Sequence, residues 1–215
     1  MDDRYEIIDL TPNYGRSRFS RVEIRDILIS VIVLSLAFTL MMMRGNWKYS
    51  DVGLLFLIFY ALSFVIITLS FIPHEMGHKF VAQKYGAWSE YRKSNNGLIF
   101  AVLISLLGIL IAAPGAVYIR GYITEEQNGK ISAAGPIVNI IISAVSIGLM
   151  TVFTNGWLGT LFFMLAYINA MLALFNLIPI PPLDGSKIIK WSIPVWIAML
   201  ALAGVEFLMA MGLLF

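Results

Sequence analysis

The chain contains two histidines, and both fall in one five-residue stretch, His74-Glu75-Met76-Gly77-His78. On a helix, residues i and i+4 share a face, so two imidazoles at this spacing can meet one Zn2+ ion while Glu75, one position along, is set to act on a water molecule beside it. The chemistry implied is metal-assisted hydrolysis. The ion polarises a carbonyl and lowers the pKa of water toward about 7, and the glutamate takes the proton and passes it to a leaving amine. Two core histidines satisfied by hydrogen bonds are the plainer reading, but three ionisable groups in an apolar helix cost several kcal/mol unless something coordinates them. A catalytic zinc normally takes three protein ligands, and the histidines leave it one short. Two acidic residues follow Glu126, namely Asp184 and Glu206. Asp184 stands in NLIPIPPLDG (176–185), where the prolines and Gly185 break regular structure and let a carboxylate turn inward, so it is the expected third ligand. On its own, Asp184 would read as a turn or cap residue. Glu206, inside the last apolar run, is expected to stay neutral, pair with another helix or line a cavity rather than ligate.

These residues need a scaffold, and composition says of what kind. Of 215 residues, 59% are hydrophobic and 13% charged, with a mean hydropathy of +0.83. Soluble domains carry about 25% charged and about 45–50% apolar residues, so this chain has too little polar surface to be wrapped in water. The expectation is an all-α polytopic membrane protein whose principal partner is the lipid bilayer. The absence of cysteine removes disulfides, thiolate zinc sites, iron–sulfur clusters and a cysteine nucleophile. A net charge of +2, not gathered into one block, gives no reason to expect a nucleic-acid partner.

Residues 1–25 read as a polar N-terminal tail of mixed charge, and residues 26–215 as one membrane-embedded domain with its catalytic core over about 52–189. Apolar runs predict about five transmembrane helices: Ile27–Met43, a long one from Val52 that continues through Pro73 and the histidines toward Tyr85, Ala133–Phe153, Trp157–Ile178 and Pro194–Phe215. Leu98–Ala113 is too short for a comfortable span and is closed by Pro114-Gly115, which suggests a re-entrant segment. The β-branched and aromatic residues of Ala116–Ile123, the turn-like Glu126-Gln127-Asn128-Gly129 and Lys130–Ser132 predict a small β-hairpin. Lys and Arg bias bears on topology. With a cytoplasmic tail and a re-entrant Leu98–Ala113, the outer loops carry only Arg44 and Lys48, and the histidine and Asp184 segments fall on the same, cytoplasmic side. If that segment crossed, they would lie at opposite faces and could not share an ion.

Three elements in this order, HEMGH, the segment Ala134-Gly135-Pro136-Ile137-Val138-Asn139 opening a helix, and NLIPIPPLDG, resemble the site-2 protease family of intramembrane zinc metalloproteases. The resemblance runs from about Val52 to Ile189. It implies that His74, His78 and Asp184 bind one zinc ion, that Glu75 is the catalytic base, and that Asn176 hydrogen-bonds near the site to a substrate carbonyl. It further implies that Gly135, Pro136 and Asn139 pack against the zinc-bearing helix, where small residues permit close approach. The expected substrates are membrane proteins with a transmembrane helix, which must unwind locally before a peptide carbonyl is accessible. The length suggests a minimal microbial or archaeal-like member without the PDZ or CBS domains of many relatives. The hairpin would either offer a strand edge to the extended substrate or merely plug the membrane surface. Lys79, Gln83 and Lys84 would line a water path or serve as interface residues.

Other function classes are disfavoured by specific residues. A metal transporter has no need of Glu75 between the histidines, and a proteolytically inactive binder would have lost Glu75 or a ligand, whereas all four residues are present. Serine and aspartate intramembrane proteases are disfavoured by the lack of Gly-x-Ser-Gly and Gly-x-Gly-Asp motifs.

Overall fold

The computed structural model describes residues 19–44, 51–109 and 113–213; most of the expected tail lies outside them. Helix α1 (Arg21–Met43) begins ahead of the apolar run that opens at Ile27. Ser20 closes its first turn by accepting from the Glu23 amide at 3.1 Å, the usual work of an N-cap serine. Glu23 and Asp26 on this turn are buried rather than solvated. Helix α2 (Val52–Lys84) runs for 33 residues and passes through Pro73 without ending. At 1.5 Å per residue that is about 50 Å, longer than the roughly 30 Å hydrocarbon core of a bilayer, and the two histidines occupy its last three turns.

After Gly86, whose φ of 78° suits a residue without Cβ, the chain forms β1 (Trp88–Lys93), α3 (Asn95–Ser105) and β2 (Gly115–Arg120). The strands are antiparallel, in register from Trp88↔Arg120 to Lys93↔Gly115, and the Ser94 amide donates to the Pro114 carbonyl at 2.7 Å. The intervening segment therefore leaves and returns at one place. The 11 residues of α3 reach only about 16 Å, too short for a crossing, as a re-entrant segment requires. The β-hairpin expected from Ala116 to Ser132 is corrected. Its first half is β2, but β2 pairs backward with β1, and the presumed turn at Glu126–Gly129 is the start of α4 (Glu125–Met150). Thr124 and Gln127 form a reciprocal capping box there, and Glu125 and Glu126 sit where an acidic first turn is stabilised.

Helices α5 (Gly156–Asn176), the short α6 (Gly185–Trp191) and α7 (Ile193–Ala210) complete the described chain. Five helices, α1, α2, α4, α5 and α7, are long and apolar enough to cross a membrane. With the small two-stranded sheet this is an all-α polytopic membrane architecture.

Two larger apolar clusters hold the bundle, beside a smaller one of Ala82, Ala87 and Ile131. One joins α1, α2, β1, α3 and α5 through Val31, Phe38, Ile66, Tyr91, Ala101 and Ile168. The other joins α4, α5, α6 and α7 through Ala133, Leu177, Ile188, Met199 and Ala203. A polar clamp fastens α1 to α2 and β1: the Lys79 ammonium donates to both Glu23 carboxylate oxygens at 2.7 Å, and Glu23 also accepts from the Tyr91 amide at 3.0 Å. Both side chains of this ion pair are 0% exposed, so Lys79 neither lines a water path nor reaches an interface.

Candidate metal centre

The late position of His74 and His78 on α2 brings them against the first turns of α4. There the Gly77 backbone of α2 meets α4 so closely that a Cβ would stand 2.9 Å from the Ala134 carbonyl oxygen. Gly135 lies directly over the imidazoles: a Cβ on it would collide with Nε2 of His78 and stand 2.7 Å from Cε1 of His74. A small residue here is a condition for any space between the rings.

His78 Nδ1 lies 2.8 Å from the Ile131 carbonyl. A carbonyl only accepts, so Nδ1 donates, and Nε2 is the ring nitrogen that faces the cluster. His74 Nδ1 lies 2.5 Å from Oδ1 of Asn139. The two Nε2 atoms are 3.1 Å apart, and Oδ2 of Asp184 is 3.3 Å from Nε2 of His78 and 3.7 Å from that of His74. His74, His78 and Asp184 thus form a group whose ligand atoms all lie within 4.8 Å of one another. Ligands held about 2.0–2.2 Å from a tetrahedral zinc stand about 3.3–3.6 Å from each other, so spacing and donor types both fit that ion.

Asp184 stands at the N-cap position of α6, yet its side chain makes no capping hydrogen bond there. The cap reading fails; the carboxylate is turned to the histidines instead. Burial works to raise the Asp184 carboxyl, but the neighbouring His78 and His74, with Lys187, hold it below the ordinary carboxylate range. Lys187 Nζ lies 3.9 Å from its other oxygen. Gly185 permits this turn, because a Cβ there would run into the Leu177 carbonyl at the end of α5.

Glu75 is buried, 8% exposed, with His78, Asp184 and Lys187 as its electrostatic neighbours. Asn176, at the end of α5, donates from its amide to the Leu172 carbonyl one turn back at 2.9 Å. Glu206 is buried on α7 outside the three-residue group, with Oε2 unpartnered among the described residues. Sequence reasoning gave Asn139 a role in close helix approach; it also touches a ring nitrogen of His74. It missed Asn169 on α5, whose amide contacts Asn139. The available signal was simply an amide side chain inside an apolar helix, which is costly without a partner.

The model of Peptidase family M50 matches residues 151–214, a stretch that contains the Asp184 loop. Over 185 residues the chain is 41% identical to a Methanocaldococcus jannaschii protein named "Putative zinc metalloprotease MJ0611", covering 83% of this chain and 89% of that one. The chain belongs to peptidase family M50. It is similar, at 33% identity, to Zinc metalloprotease MJ0392 of the same organism, over 62% of this chain and 34% of that protein. YwhC of Bacillus subtilis, named in the same terms as MJ0611, is 32% identical over 64% of this chain and 74% of its own length. No solved structure matches the chain. This M50 peptidase is a zinc metallopeptidase of the site-2 protease type and a multi-pass protein of the lipid bilayer.

Proposed function

We propose that this M50 peptidase hydrolyses peptide bonds within or near transmembrane segments of other membrane proteins. In this reading His74, His78 and Asp184 hold one zinc ion, Glu75 is the general base, and Asn176 binds a substrate carbonyl. One observation carries it: three donor atoms of the right types converge within 4.8 Å among helices long and apolar enough to cross a membrane. When bound, zinc supplies Lewis acidity, polarising a substrate carbonyl and making water a better acid.

The protein's own groups do the rest. Glu75 removes a proton from the attacking water and delivers it to the leaving amine, a relay that its burial favours by keeping bulk water from competing. A substrate helix hides its peptide groups in its own hydrogen bonds and must open locally to be cut. Strand β2 has one edge unpaired among the described residues and alternates exposed and half-buried side chains, which supports its use as a strand-addition surface for the opened segment. Prolines introduced along that edge are expected to suppress cleavage, and undiminished cleavage would remove this role. Residues 26–215 act as one catalytic unit, with its core over 52–189. The histidine end of α2 faces the cytoplasm, because Lys and Arg are then concentrated on that side.

The test is mass spectrometry of single-span membrane peptides incubated in liposomes with the native protein or with Glu75→Gln. Internal cuts within the spans, absent from the variant, are expected. Equal products from both proteins would reject Glu75 as the base, and cuts confined to soluble peptides would reject the intramembrane substrate.

A further inference from the structure

Three buried amide and hydroxyl side chains between α2, α4 and α5 do more than satisfy one another. Asn169 Nδ2 lies 2.8 Å from the Leu165 carbonyl and 2.8 Å from Oγ of Ser70. A backbone carbonyl can only accept, so the NH2 end of Asn169 must point at Leu165, and its Oδ1 must point the other way, to Asn139. Asn139 Nδ2 stands 2.8 Å from that Oδ1 and 3.3 Å from the Ser70 carbonyl. Turning Asn139 over would set its oxygen against two buried acceptors. The amide is therefore locked with Oδ1 toward His74, 2.5 Å from Nδ1.

We propose that Asn169 and Asn139 form a relay that fixes the tautomer of His74, anchored at the Leu165 and Ser70 carbonyls. An acceptor at Nδ1 requires a ring proton there, so in the neutral ring the Nε2 lone pair is the one directed at His78 and Asp184. The His78 ring is fixed in the same sense by a single step, the Ile131 carbonyl. The chain of side chains at His74 reaches α5 and stands beside a backbone partner, Gly135, whereas His78 meets the Ile131 carbonyl. Asn139 and Asn169 are positioning residues that act through His74, in the way that outer partners orient metal ligands generally. The relay rests on the assignment of His74 as a zinc ligand and adds to it the reason that Nε2 is the ligating atom.

Because the chain has two histidines, full-length protein labelled with 15N at histidine alone reports on these two rings and nothing else. In the native zinc-free protein the His74 ring, assigned by its loss in His74→Ala, is expected to carry its proton on Nδ1. In Asn139→Leu and Asn169→Leu that proton redistributes toward Nε2 while the His78 spectrum stays as in the native protein, a change that mere loosening of the bundle would not confine to one ring. Zinc affinity, measured by competition with a chromophoric chelator, falls by about 10–100-fold in both variants. A native His74 ring protonated on Nε2 overturns the relay, and so do folded variants with an unchanged His74 ring or unchanged zinc affinity. If the variants do not fold, the native spectrum alone decides. His74→Ala and Asp184→Ala are titrated in parallel. Native-like zinc affinity in those two rejects the ligand assignment itself, whereas zinc loss in them with native behaviour in the asparagine variants rejects the relay and leaves the ligands standing.

Discussion

Glu75 is buried beside His74 but belongs to no ligand group among the described residues, so replacing its charge and keeping its size isolates its chemistry. Glu75→Gln is expected to retain zinc, by elemental analysis of the purified protein, and to lower kcat by about 10²–10⁴-fold, the usual worth of a positioned acid–base group. Loss of zinc from this variant would move Glu75 from proton transfer to metal binding. Gly135 offers a complementary test, because its missing side chain is the space over the rings. Gly135→Ala improves helix propensity, so α4 should persist by circular dichroism, yet the added methyl displaces the His78 ring from its place and zinc content should fall. Retained zinc would mean that the rings can shift without losing the ion. At this scale the sequence is legible where chemistry is written in local spacing: His74, Glu75 and His78 sit together because a helix repeats every 3.6 residues. Asp184 was reachable by counting acids. Asn169 was not, because its partners are chosen by how α5 is rotated against α2 and α4, and no local pattern records that rotation.

Between elements, a fully buried polar clamp joins Glu23 on α1 to Lys79 on α2 and the Tyr91 amide on β1. Removing one member of a buried pair strands the other charge, whereas replacing both by apolar groups is often neutral. Glu23→Leu is therefore expected to destabilise the protein by about 3–5 kcal/mol in detergent unfolding, and the double variant Glu23→Leu/Lys79→Met to recover most of that loss. Equal loss in both would show that the pair is worth its desolvation and more. The same contact explains why the N-terminal boundary of α1 escaped composition: Glu23 and Asp26 look like solvated charges until β1 arrives to take them, and the Asp26 carboxylate accepts from the Lys93 amide at 3.4 Å. Apolar run length did give the existence and approximate span of all five long helices. It failed at the start of α4, where Glu126-Gln127-Asn128-Gly129 has turn composition but Thr124, three residues ahead of Gln127, supplies a capping box that outweighs it. Strand β1 was missed because Trp88–Lys93 is rich in charge, and its burial comes from contact with α1 rather than from its own residues.

For the whole molecule, the return of the α3 segment to its starting point fixes the parity of everything that follows. The Lys93↔Gly115 pairing means that α4 departs from the side on which α2 arrives. That parity is why the end of α2 and the Asp184 loop can share one group of donors, and it ties the orientation of every later helix to the side occupied by the start of α1. The chain lacks cysteine, so single substitutions report without background. Asn128→Cys at the start of α4 and Lys190→Cys on α6 are exposed positions on the histidine side, and Asn155→Cys lies exposed in the turn between α4 and α5. With the histidine side cytoplasmic, a membrane-impermeant maleimide added to intact cells should label Asn155→Cys alone, and the same reagent on inside-out vesicles should label the other two. The reverse pattern would turn the whole bundle over and place proteolysis on the outer side of the membrane. Labelling of Asn128 and Lys190 from opposite sides would contradict the shared parity itself, and with it the single site that His74, His78 and Asp184 form.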